Sequence, residues 1–127
     1  MDATILCIED NPNNMLLVQR AVEVLGCNFV WAASGATGLE LAETYQPDLI
    51  LLDINLPDIN GYQVAQRLRA KGTDHWQTVP IIALTANALM GDARKFLAAG
   101  CTAYMPKPID TRALRAQVLA FLPGPSI

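Results

Sequence analysis

Residues 47–53 read Pro47-Asp48-Leu49-Ile50-Leu51-Leu52-Asp53, four aliphatic side chains in a row closed by a carboxylate. A run this short with no polar alternation is the pattern of a β-strand covered on both faces, as in a parallel sheet. Working outward, the same pattern recurs at Ile5-Leu6-Cys7-Ile8, Phe29-Val30-Trp31-Ala32 and Ile81-Ile82-Ala83-Leu84, with a weaker fifth strand at Ala103-Tyr104-Met105. Between the strands the apolar spacing turns helical: Val18, Ala21, Val22 and Leu25 share one face, as do Leu39 with Ala42 and Val64 with Leu68. Gly26, Gly72 and Gly100 suit helix ends, Ser34 and Asp110 suit N-caps, and a last helix is expected from about Thr111 to Leu122. Strand and helix alternate five times, which predicts a doubly wound α/β domain with a parallel sheet, right-handed crossovers and helices on both faces.

The chain of 127 residues fits one domain, with a core expected over about 3–122 and a C-terminal tail, 123–127, too short to be a linker. No apolar run reaches the roughly 18 residues of a membrane span, and Met1-Asp2-Ala3-Thr4 lacks the basic flank of a secretory signal, so no membrane is expected and the cytoplasm is the default location. Cys7, Cys27 and Cys101, odd in number and widely spaced, read as reduced, mostly buried thiols. A net charge of -3 with nine scattered basic residues offers no cationic stripe, so no nucleic-acid partner is expected.

Sheets of this class carry their chemistry beyond the carboxyl ends of the strands. There the sequence places Glu9-Asp10 after the first strand, Asp53 at the third, Thr85 at the fourth and Lys107-Pro108 after the fifth. Any one alone has a plainer reading: Asp53 as a turn residue, Thr85 as a helix cap, Tyr104 as core. Three carboxylates converging on one edge repel one another and call for a hard divalent cation, which points to Mg²⁺. Mg²⁺ keeps several waters and leaves room for a phosphoryl donor, so the metal-neutralised Asp53 is a candidate nucleophile forming an aspartyl phosphate, with Lys107 and Thr85 as donors to the transferring oxygens. Lys107 lies between Pro106 and Pro108, which makes the Lys107–Pro108 bond a candidate for the cis form. Ala86 is small enough to leave the site open to an incoming donor.

Ile8-Glu9-Asp10-Asn11, Pro47 to Asp53, Leu56-Pro57 with Gly61, Leu84-Thr85-Ala86 and Tyr104-Met105-Pro106-Lys107-Pro108 together resemble the receiver domain of two-component response regulators, over essentially the whole chain. The resemblance implies a flavodoxin-like (βα)5 fold with strand order 2-1-3-4-5. It further implies Asp53 as phosphoacceptor, Asp10 as direct metal ligand, Glu9 as a ligand through water and the backbone carbonyl of Asn55 as a third protein ligand. Lys107 would pair with the phosphoryl group, Thr85 would hydrogen-bond one of its oxygens, and Tyr104 would turn inward as the switch aromatic. The phosphodonor would be a histidine kinase or a histidine phosphotransfer protein, and the output a downstream protein whose identity the residues do not encode. Such a domain catalyses only its own phosphorylation and dephosphorylation. Glu9 departs from the aspartate pair frequent in that family, and Gln63 from a frequently acidic position.

Asp58 and Asn60 read as turn and cap residues, and His75 as a solvated loop residue before the fourth strand. Leu16, Gln19, Arg20, Glu23 and Val24 fall away from the first helix's apolar stripe, and the resemblance makes that face the docking surface for helices bearing a phosphohistidine. An aspartyl-nucleophile phosphohydrolase of the haloacid dehalogenase type is the rival enzyme reading, but Asn55 stands where its second acid is required. A nucleotide-binding module is disfavoured because no glycine-rich phosphate loop follows the first strand. The start at Met1-Asp2 favours a stand-alone chain over a receiver excised from a hybrid kinase. Asn11-Pro12-Asn13-Asn14 and Leu84-Thr85-Ala86-Asn87-Ala88 look most like relay or cell-cycle members of the family.

Overall fold

The computed structural model describes residues 3–86 and 92–122. In chain order the elements are β1 (Thr4–Ile8), α1 (Pro12–Val24), β2 (Asn28–Ala32), α2 (Gly35–Tyr45), β3 (Leu49–Asp53), α3 (Gly61–Arg69), α4 (Asp74–Thr78), β4 (Ile81–Thr85), α5 (Asp92–Ala98), β5 (Ala103–Pro106) and α6 (Thr111–Phe121). The strands form one parallel sheet in the order β2-β1-β3-β4-β5, the doubly wound arrangement expected.

Successive residues of the central strands face opposite sides of the sheet, and the core divides accordingly. Leu6, Ile8, Ile50, Leu52, Ile81 and Ala83 pack with Ala42, Val64, Leu68, Trp76 and Phe96. Ile5, Cys7, Leu49, Leu51, Ile82 and Leu84 pack with Val18, Val22, Leu114 and Val118. Every aliphatic side chain of β3 is fully buried, and at about 1.5–3 kcal/mol for each such residue the central strands hold the sheet between its helix layers.

The expectation that all four apolar runs are covered on both faces fails for β2. It is an edge strand, with Asn28 and Trp31 exposed, because nothing lies beyond it in the sheet. A second correction concerns the segment before β4, which forms the short helix α4 and not a polar loop. Trp76 is buried and anchors this turn, and His75 is half-buried with its ring edge-on to Trp76 at 4.7 Å. Five residues are too few to show a helical period in sequence. The three cap positions expected from sequence are caps: Ser34 accepts from Thr37 N–H, Asn60 from Gln63 N–H, and Asp110 from the N–H groups of Arg112 and Ala113. Gly26, Gly72 and Gly100 all have positive φ at helix ends. Asn87, Ala88 and the tail lie outside the described residues.

Two further contacts fix the frame of the site. A Cβ on Gly61 would stand 2.6 Å from the Asp53 carbonyl oxygen and 2.7 Å from Ile54 Cα, so only glycine lets α3 start so close behind the end of β3. At the opposite edge of the sheet, Arg69 donates to the carbonyls of Gly100 (2.9 Å), Trp76 (3.0 Å) and Val79 (2.7 Å), tying α3 to the segments that precede β4 and β5.

Candidate functional site

The site forms where β1, β3, β4 and β5 end. Register pairs Ile8 with Leu52 and Asp53 with Leu84, so residues following β1 and β4 flank Asp53 on either side. Glu9 follows β1 directly and donates its N–H to the Ala32 carbonyl at 3.0 Å. Two residues on, the Asn11 side chain accepts from the N–H groups of Asn13 and Asn14 and caps α1, and Asn11 N–H donates to Glu9 Oε2 at 3.3 Å. Glu9-Asp10 is therefore held between a strand end and a helix cap.

Asp53 closes β3 and is 2% exposed, Glu9 is fully buried, and Asp10 is exposed. Oxygens of all three lie within 4.8 Å of one another. Asn55 N–H donates to Asp53 Oδ1 at 3.0 Å, and Ile54 N–H to the Leu84 carbonyl at 3.1 Å, which carries the main chain past the carboxylate into its loop. From the other side, Lys107 brings its ammonium to 2.9 Å from Glu9 Oε1 and 3.2 Å from Asp53 Oδ1. Its N–H donates to the Thr85 carbonyl at 2.7 Å, and the Lys107–Pro108 bond is cis. Thr85 is buried at the end of β4, and Ala86 beyond it is exposed.

Charge is unevenly compensated here. Burial, then the hydrogen bond with Asp53, pushes the Glu9 carboxyl up to about 7, although Lys107 and Asn11 N–H pull the other way. Burial alone would lower the Lys107 ammonium, but its hydrogen bond to Glu9 and the charge of Asp53 outweigh it, and the net shift is upward. Three carboxylates facing one ammonium leave an excess of negative charge on hard oxygen donors, a set that fits Mg²⁺. Cys7, buried beneath the site, is pushed far above the usual thiol range by burial and by the neighbouring carboxylates, so it stays an inert thiol.

The structure thus brings Glu9, Asp10, Asp53 and Lys107 together and joins Thr85 to them through the backbone of Lys107. Tyr104 lies elsewhere. It is 38% exposed, its ring 5.2 Å from that of Phe96, which in turn stacks on Tyr62 at 5.7 Å. With Phe96, Leu97, Thr102, Ala103 and Gln117 it lines an open groove of about 410 Å³.

Asp58 serves the turn role read from sequence, and also a longer-range one. Its carboxylate accepts from Gly35 N–H at 2.8 Å and Ala36 N–H at 2.9 Å, which binds the loop after Asp53 to the start of α2. These and other backbone N–H groups hold its carboxyl down at about 2. Sequence reading missed Trp31, whose indole donates to the Glu9 carbonyl at 2.7 Å. The only hint in the sequence was the indole N–H itself, a donor that seeks a partner; its acceptor, 22 residues away, was not legible.

Residues 5–119 match the response regulator receiver domain family. The chain is 38% identical over 110 residues to the polar-differentiation response regulator DivK of Brucella anthropi, covering 87% of this chain and 88% of that one. Among solved structures, the receiver domain of sensor histidine kinase PA1611 from Pseudomonas aeruginosa, with a magnesium ion coordinated in its active-site cleft, is similar with a TM-score of 0.84 and 36% identity, covering 95% of this chain and 98% of that one. Chemotaxis protein CheY4 of Vibrio cholerae shares the fold with a TM-score of 0.88 at 23% identity, over 96% of this chain and 100% of its own. A buried aspartate at a strand end, flanked by an acidic pair and faced by a lysine, sits within that match, and the chain belongs to the response regulator receiver domain family.

Proposed function

We propose that Asp53 takes a phosphoryl group from a phosphohistidine and that the domain passes this on as a change in protein binding. The observation that carries the reading is the ammonium of Lys107 set between Glu9 and Asp53 beside the acidic cluster. Glu9, Asp10, Asp53 and the Asn55 carbonyl are the groups that would hold Mg²⁺. Bound there, Mg²⁺ offsets carboxylate repulsion and the charge on the transferring oxygens. A carboxylate oxygen of Asp53 forms a new bond to phosphorus as the bond from phosphorus to the donor imidazole nitrogen breaks. The electron pair returns to that nitrogen, which then takes up a proton.

The remaining residues read the product. Lys107 contacts the phosphoryl oxygens, the Thr85 hydroxyl hydrogen-bonds one of them, and exposed Ala86 leaves the approach clear. Tyr104 turns inward from its outer position and so reshapes the groove it lines with Phe96 and Gln117. The chain turns over no external substrate beyond its own phosphorylation and dephosphorylation.

The docking surface in this reading is the outer face of α1, supported by the exposed Leu16 (43%) and Val24 (72%), and its partner is a histidine kinase or histidine phosphotransfer protein. Transfer from a phosphorylated histidine phosphotransfer protein tests this. Asp53→Asn abolishes transfer, and Leu16→Glu slows it by about tenfold while leaving uptake from a small-molecule phosphodonor unchanged. Equal transfer to wild type and Leu16→Glu would remove α1 as the docking face.

A further inference from the structure

We infer that Trp31 is a positioning residue for the acidic pair, holding the Glu9–Asp10 peptide in the orientation that Mg²⁺ binding requires. This rests on the metal reading proposed above. The Glu9 N–H makes the last backbone bond from the end of β1 to β2, at 3.0 Å to the Ala32 carbonyl. On the other side of the same residue, the Glu9 carbonyl accepts from Trp31 Nε1 at 2.7 Å, so a side chain of the edge strand takes over where the ladder stops.

The consequence follows from peptide planarity. The Glu9 carbonyl oxygen lies in one rigid plane with the N and Cα of Asp10, so a bond that fixes the oxygen also fixes the direction in which Asp10 leaves the strand. Asp10 is the exposed member of the acidic cluster, and no side-chain hydrogen bond or ion pair ties its carboxylate among the described residues. Its placement therefore depends on the backbone, and the indole constrains that backbone. Trp31 is itself 37% exposed and lies outside the core, so its bond to Glu9 is separable from folding.

Two tryptophans make the test direct, because Trp31 and Trp76 give two indole N–H signals in a proton–nitrogen correlation spectrum. Trp76, in α4 at the opposite edge of the sheet, serves as the internal control. Titrating the wild-type chain with Mg²⁺ alone shifts the Trp31 indole signal in step with the backbone amides of Asp10 and Asn55, and the Trp76 signal stays in place. Trp31→Phe keeps a ring but removes the donor; calorimetry shows its Mg²⁺ dissociation constant raised roughly threefold to tenfold, as for one lost neutral hydrogen bond. Asp10 and Asn55 amides that shift while the Trp31 indole stays fixed, with Trp31→Phe binding Mg²⁺ within about twofold of wild type, overturn the positioning role and leave the metal site standing. Amides that do not respond at all overturn the metal site and this inference together.

Discussion

The ammonium of Lys107 stands 2.9 Å from Oε1 of Glu9, a carboxylate with no exposure to solvent. A buried acid with one cationic partner is a proton-binding group as much as a charge, and its carboxyl is pushed up to about 7 from an ordinary 4.5. The folded state holds this proton more tightly than the unfolded chain between those two values. The group's stabilising contribution is complete below about pH 4.5 and is lost as pH rises through 7. In metal-free protein, urea unfolding across this window shows stability falling with pH in wild type, and Glu9→Gln flattens that fall. Mg²⁺ affinity rises over the same window, because the metal requires the deprotonated acid. A wild-type slope that persists in the Gln variant would locate the proton elsewhere.

In the proposed function, Lys107 also links the phosphoacceptor to the read-out. Its backbone N–H is bonded to the Thr85 carbonyl and its ammonium faces Asp53, so one residue touches both the end of β4 and the proposed nucleophile. Lys107→Ala slows phosphoryl uptake by roughly a hundredfold, the cost of losing one fixed donor to the transferring oxygens. The phosphorylated variant keeps the Tyr104 ring outward. Ring resonances of Tyr104, compared before and after phosphorylation, check this; an inward shift in the variant equal to that of wild type contradicts the coupling.

Arg69 works at the other edge of the sheet. Its three carbonyl acceptors come from two separate segments, Trp76 and Val79 before β4 and Gly100 before β5, and no carboxylate is among them. Arg69→Met destabilises the domain by about 2–4 kcal/mol in urea unfolding. Mg²⁺ affinity stays within about twofold of wild type, since among the described residues no hydrogen bond or ion pair of Arg69 reaches the acidic pair.

The central strands and the acid-bearing strand ends were readable because burial on both faces leaves an unbroken aliphatic run, and Glu9, Asp10, Asp53 and Lys107 sit at fixed distances from such runs. What was not readable depends on which strand lies at an edge and on which side chain reaches across. Phe29 to Ala32 looks as apolar as Leu49 to Leu52, yet β2 has a neighbour on one side only. The helix at Asp74 to Thr78 is anchored by one buried indole, and a single Trp76 carries no period. Trp31 to Glu9 and Asp58 to Gly35 span 22 and 23 residues, separations that only the folded topology closes. Tyr104 was placed correctly on β5, but its outward setting against Phe96 follows from packing that local sequence does not encode.

Phosphorylation of Asp53 is checked by intact mass measurement after incubation with a small-molecule phosphodonor and Mg²⁺. Wild type gains one base-labile phosphoryl group and Asp53→Asn gains none. No gain on wild type, or an equal gain on the Asn variant, contradicts the assignment.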